Sequence, residues 1–110
     1  MSPDPELGSD SESIWREDEP GARTTIAFDE IVRVTAGRLD CVTRIDTTVE
    51  LDHASGHYIE LSDAWRGFDE VMMTMEERLV GFDRTWRTKV FALQPGQEPV
   101  LIWSRQVDSK

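Results

Sequence analysis

The sequence predicts an α+β domain: a curved antiparallel sheet of about five or six strands, strongly curved or split, packed by one α-helix over about 67–80, with two strands following the helix. Three observations lead there. Residues 41–51 alternate apolar and polar with a period of two, as a half-buried strand does. Phe68, Val71, Met72, Met75 and Leu79 recur at spacings of three and four, as on one face of a helix. Short β-branched runs are separated by turn-forming clusters such as Glu19-Pro20-Gly21 and Gln94-Pro95-Gly96.

Taken in order, residues 1–13 hold four serines, two prolines and only Leu7 as a sizeable aliphatic after the initiator, so this acidic segment reads as a disordered tail. A single domain then spans 14–106, and 107–110 reads as a frayed end. Ile14-Trp15-Arg16 reads as a short edge strand. Thr24 to Ala36 reads as a strand bent at Asp29-Glu30, with Val32 and Val34 continuing its buried set and a turn at Gly37-Arg38. In the clearest strand Cys41, Thr43, Ile45, Thr47, Val49 and Leu51 share a face. His57 to Ser62 follows, with Ile59 and Leu61 on the apolar side and Tyr58 and Glu60 opposite. Parity requires opposed residue numbers to sum to an even value; Val49 opposite Ile59 satisfies this and leaves His53-Ala54-Ser55 as the loop.

The helix is well bounded. Asp69 and Glu70 suit its first turn, Arg78 its last, and Gly81 the left-handed position beyond it. Residues 87–93 and 99–105 read as a second hairpin whose faces are both apolar, with Val90, Ala92, Val100 and Ile102 on one and Phe91, Leu93, Leu101 and Trp103 on the other. A strand pair of that kind belongs inside a layered structure or at an oligomer interface.

Composition narrows the function classes. The 110 residues carry a net charge of −10, of which residues 1–20 supply −6, and no Lys/Arg cluster would neutralise a run of phosphates. Nucleic acid is therefore not an expected partner. No stretch is long and apolar enough to span a membrane, Met1-Ser2-Pro3-Asp4 lacks signal-peptide character, and the lone Cys41 has no internal disulfide partner; the expected location is cytoplasmic.

The sequence carries no recognisable catalytic or cofactor motif. No Gly-rich phosphate loop occurs, and the Gly-Phe-Asp triplets at 67–69 and 81–83 read as helix boundaries. Asp52, His53 and His57 are the one cluster of metal-ligand types, but their spacing specifies no site, so no metal or cofactor is expected. Cys41 with His57 would be the nucleophile pair, yet strand parity puts the thiol on the buried face, where it is inert. The paired acids Asp29-Glu30, Asp69-Glu70 and Glu76-Glu77 read as solvated surface. Of four tryptophans (Trp15, Trp65, Trp86 and Trp103), core packing is the first reading; the alternative has Trp65 and Trp86 lining a patch beside the helix.

The run Phe28-Asp29-Glu30-Ile31-Val32-Arg33-Val34, Asp40 and Asp46 around the central strand, Gly67-Phe68, Leu79 to Gly81, Trp86 to Val90 and Leu101-Ile102-Trp103-Ser104-Arg105 resembles a group of small uncharacterised bacterial proteins over residues 24–105. These also look like bacterial pleckstrin-homology-like modules, in which strands curl around a core closed by one helix; here two strands follow the helix. The resemblance implies a fold and brings no catalytic residue.

The function expected is a non-enzymatic protein-interaction module, with Trp65, Trp86, Val90, Ala92, Val100, Ile102 and Trp103 as candidate surface and self-association through the C-terminal hairpin as one form of it. Two alternatives stand beside it. One is an acidic, immunity- or antitoxin-like inhibitor of a basic toxin. The other is a small ligand binder or enzyme with a pocket in the curved sheet, with His57, Tyr58 or Trp103 at its mouth.

Overall fold

A computed structural model describes residues 4–105; the expectation of a frayed 107–110 lies outside the described residues. The fold is α+β, and the seven strands of the described residues are split between two antiparallel sheets. The first sheet has the order β1-β2-β3, from β1 (Glu6–Ser9), β2 (Ser13–Glu19) and β3 (Ala22–Ala27). A single 3-10 turn, Phe28–Glu30, then swings the chain into the second, in the order β6-β5-β4-β7. Its strands are β4 (Ile31–Asp40), β5 (Ile45–His53), β6 (Tyr58–Ser62) and β7 (Val100–Ser104). Between β6 and β7 lie α1 (Phe68–Arg78) and α2 (Trp86–Phe91).

The bend at Asp29-Glu30 is where the sequence puts it. Glu30 reaches back so that its carboxylate accepts from the Ala27 backbone N–H at 3.1 Å, satisfying a donor the turn would otherwise orphan. The α1 stripe also holds: Phe68, Val71, Met72, Met75 and Leu79 are all buried, and Gly81 adopts φ +88° beyond the helix end. Both sheets and both helices share one apolar core, with Ile14 and Ile26 from the first sheet, Val34, Val49, Leu51 and Leu61 from the second, and Trp86 and Val90 from α2.

Five expectations are corrected. Residues 6–9 form a strand where a tail was expected, because Leu7 finds partners remote in sequence: its N–H donates to Arg66 O at 2.8 Å, and its side chain is only 4% exposed. Gly8 and Gly67 permit this approach. A Cβ on Gly8 would stand 2.0 Å from the Trp15 ring, and one on Gly67 would stand 2.1 Å from the Leu7 carbonyl oxygen. The segment around Ile14 is consequently the central strand of its sheet and not an edge.

The third correction concerns β4, which runs straight through Gly37 to Asp40, bulging at Val32 so that Ile31, Val34 and Ala36 become the buried set. The turn falls at 41–44, where Cys41 N–H donates to Arg44 O at 2.8 Å and Val42 takes a positive φ of +74°. Fourth, Val49 pairs with Leu61 and Leu51 with Ile59, two residues from the expected register. Parity is kept, so the same side chains face the core. His53 N–H donates to His57 O, leaving Ala54-Ser55-Gly56 as the loop.

Fifth, residues 86–91 are helical, so the doubly apolar C-terminal hairpin does not form. Trp86 and Val90, four apart, point together into the core, and the Trp86 ring meets Phe68 edge-on at 6.3 Å. Asp83 anchors the first turn by accepting from the Thr85 N–H at 2.9 Å and its hydroxyl at 2.6 Å. β7 pairs instead with β4, bulging so that Trp103 lies opposite Val34 and Leu101 opposite Thr35.

Candidate functional site

The strand registers place two rows of side chains across the face of the second sheet that points away from the core. One row reads Leu101, Thr35, Glu50, Glu60; the next reads Ser104, Arg33, Asp52, Tyr58. Their neighbours along each strand, such as Val34, Val49, Leu51, Ile59 and Leu61, point inward and are buried. The margins of these rows stay open, with Tyr58 64% and Leu101 55% exposed, while Thr35, Glu50 and Asp52 between them are half-buried.

This face is electrostatically unbalanced. Glu50 and Glu60 are directly opposed on neighbouring strands, an arrangement of like charges that costs stability. Arg33 is committed to Asp52 at 2.7 Å. The Glu50 carboxyl is held above its ordinary range, first by the hydrogen bond it shares with Asp52, then by partial burial and by the charges of Asp52 and Glu60; Arg33 opposes the shift. The open surface is thus a patch of carboxylates flanked by an aromatic ring at one side and an aliphatic side chain at the other.

The residues singled out from sequence are dispersed. Trp86, Val90, Ile102 and Trp103 are core residues; Trp103 also donates its indole N–H to Val80 O at 2.8 Å. Trp65 and Val100 are half-buried against the core, with the Arg16 guanidinium 4.7 Å from the Trp65 ring centre, and Ala92 alone is exposed. Trp65 and Trp86 therefore do not form one patch. His57 and Tyr58 border a cavity of about 130 Å³ between β3 and the β5–β6 hairpin, whereas Trp103 borders a separate one at the far end of β7.

The sequence clusters separate too. Asp52 lies on the open face with Arg33, while His53 turns to Glu30, its Nε2 3.4 Å from Oε2 and its Nδ1 accepting from Ser55 N–H at 2.9 Å. Among the described residues no group of three His, Cys, Asp or Glu is placed to hold a metal ion. Cys41 sits half-buried in the β4–β5 turn and not on a buried strand face. Burial, then a hydrogen bond with Asp46, raises its thiol pKa, which is opposite to nucleophilic activation.

Sequence reading passed over Glu50 and Glu60 as ordinary surface. Their signal is that both fall on the polar face of adjacent strands, but only the observed register sets them opposite each other. No helix of the described residues is long and apolar enough to cross a membrane. No protein-family model, curated protein or solved structure matches the chain.

Proposed function

We propose that the chain is a non-enzymatic interaction module that binds a basic protein through the open face of the β4–β7 sheet. The observation that carries this reading is the opposed Glu50–Glu60 pair with Asp52 alongside: a stability cost, with Glu60 exposed and Glu50 half-buried, that a cationic partner would convert into attraction. Tyr58 and Leu101 at the margins supply the apolar contact that a purely electrostatic surface lacks. An inhibitor of a basic toxin is the form of this activity that best matches the overall charge of −10. Action in the cytoplasm fits the single free thiol of Cys41. A likeness to strand-rich bacterial pleckstrin-homology-like modules belongs to the same proposal, with both sheets and α1 enclosing one core.

The test is photo-crosslinking in the producing cells from a reactive residue placed at Tyr58 or Leu101, with Met73 on the exposed side of α1 as the control position. The expected result is one defined adduct from both sheet positions, containing a basic protein and absent from position 73. Equal adducts from all three positions, or an acidic partner, would overturn the reading.

A further inference from the structure

A second surface, which meets the sheet face only at Leu101 and Ser104, lies where the end of α1 meets β7. There Phe28, Leu79, Val80 and Trp103 wall an open cleft of about 720 Å³, within the size range of ligand-binding clefts. Val80 is 93% exposed at its rim. β7 is an edge strand, paired on one side with β4; the Ile102 carbonyl accepts from Asp83 N–H at 3.2 Å.

In a chain of net charge −10 this cleft has the opposite sign. Its charged groups are Arg78, Arg105 and Asp29, and among the described residues neither guanidinium is paired with a carboxylate. Arg105 is also oriented. Its Nη2 donates to the Phe28, Asp29 and Ile31 carbonyl oxygens at 3.1, 3.0 and 2.8 Å, and its Nε to Ile31 O at 3.2 Å. These bonds fix the plane 5.5 Å from the centre of the Trp103 ring and leave the Nη1 donors without an acceptor among the described residues.

The simpler account of Arg78 is that a cation in the last turn of α1 offsets the helix dipole. That account does not reach Arg105, which belongs to no helix. Two carbonyls in the last turn of α1 are moreover occupied, since Met75 O accepts from Leu79 N–H and Glu76 O from Arg84. At physiological ionic strength charges are screened over about 8 Å, so the local pair of guanidinia outweighs the acidic surface elsewhere.

We infer that this cleft binds an extended acidic segment of a partner protein, with a carboxylate on Arg105 Nη1 and Arg78 and an adjacent apolar side chain against Trp103 and Val80. Planar guanidinium donors held in place match a carboxylate, and an edge strand beside an apolar trough matches an extended chain. Asp29 at the rim disfavours more highly charged anions.

The test follows the Trp103 indole N–H by NMR in the full chain while an end-capped pentapeptide alternating glutamate with valine or phenylalanine is added. The expected result is a saturable shift at Trp103 and Val80, with affinity about tenfold weaker for the glutamine version of the peptide. Arg78→Ala should weaken binding about two- to fivefold while leaving the remaining spectrum in place. Arg105→Lys keeps the charge but removes the fork, and should weaken it further. Equal binding of the glutamine peptide, tighter binding of a lysine peptide, binding of free 3-phenylpropionate alone, or no shift at millimolar peptide would each overturn the inference. None of these outcomes bears on the basic partner of the sheet face.

Discussion

Replacing Glu50 by Gln should stabilise the protein, and the reason can be followed from the register. Glu50 stands directly across from Glu60 and shares a hydrogen bond with Asp52, so ionising it in the folded state works against two neighbouring charges. Gln keeps the length and can donate its amide to Asp52 without adding charge. A directly opposed like-charge pair costs about 0.2–1 kcal/mol, and in a domain of this size 1 kcal/mol moves Tm by about 4–8 °C. Glu50→Gln should therefore raise Tm by about 1–8 °C at pH 7, read by circular dichroism.

The pH dependence fixes the sign. Because the folded-state pKa of Glu50 is raised above the ordinary value of 4.5, the folded protein holds this proton more tightly than the unfolded chain. Its contribution to stability is present below pH 4.5 and is lost as pH rises through the raised value. The advantage of Glu50→Gln should accordingly be full at pH 7, fade as the pH falls through the raised value and be gone below pH 4.5, and 1 M salt should shrink it. A variant no more stable than its parent at pH 7, or an advantage that grows on acidification, would refute the electrostatic reading of this face.

Three further outcomes test the fold around it. Leu7→Ala should cost about 2–5 kcal/mol in urea unfolding, as for a buried leucine, whereas a disordered tail would leave stability unchanged. Gly67→Ala should lower stability by at least about 1–2 kcal/mol, because φ is +92° there and the new Cβ would press on the Leu7 carbonyl; a neutral effect would contradict the contact between β1 and the start of α1. Asp83 is held at about 2, first by Lys89 and then by Thr85, so the stability it confers is present above pH 3.8 and lost as pH falls toward 2. Asp83→Asn should flatten the acid side of the stability profile between pH 4 and 2, and an unchanged slope would count against the anchor.

What the sequence made legible follows from how many repeats each element offers. α1 presents five apolar residues at helical spacing over three turns, enough to settle its period and its buried face. α2 has six residues, and Trp86 with Val90 is a single helical interval. The alternation of Val90 with Phe91 and Ala92 with Leu93 imitates a strand equally well, and tertiary burial of the Trp86–Val90 pair decides the matter. β1 was hidden for a different reason: its lone Leu7 becomes buried only through Arg66 and Gly67, sixty residues away. Parity between β5 and β6 was readable, but the absolute register was not, because shifts of two residues preserve the faces. The candidate site depends on that register, so Glu50 and Glu60 were visible as polar-face residues and invisible as a pair.

Glu60→Lys separates folding from function and tests the central claim most directly. It replaces the repulsion across from Glu50 with an opposite-charge pair, so the protein should be at least as stable as its parent. Binding to the crosslinked basic partner, measured by calorimetry at low and physiological salt, should weaken and lose part of its salt dependence. Affinity and salt dependence equal to those of the parent, in a variant that folds as well or better, would contradict a cation-binding role for this sheet face.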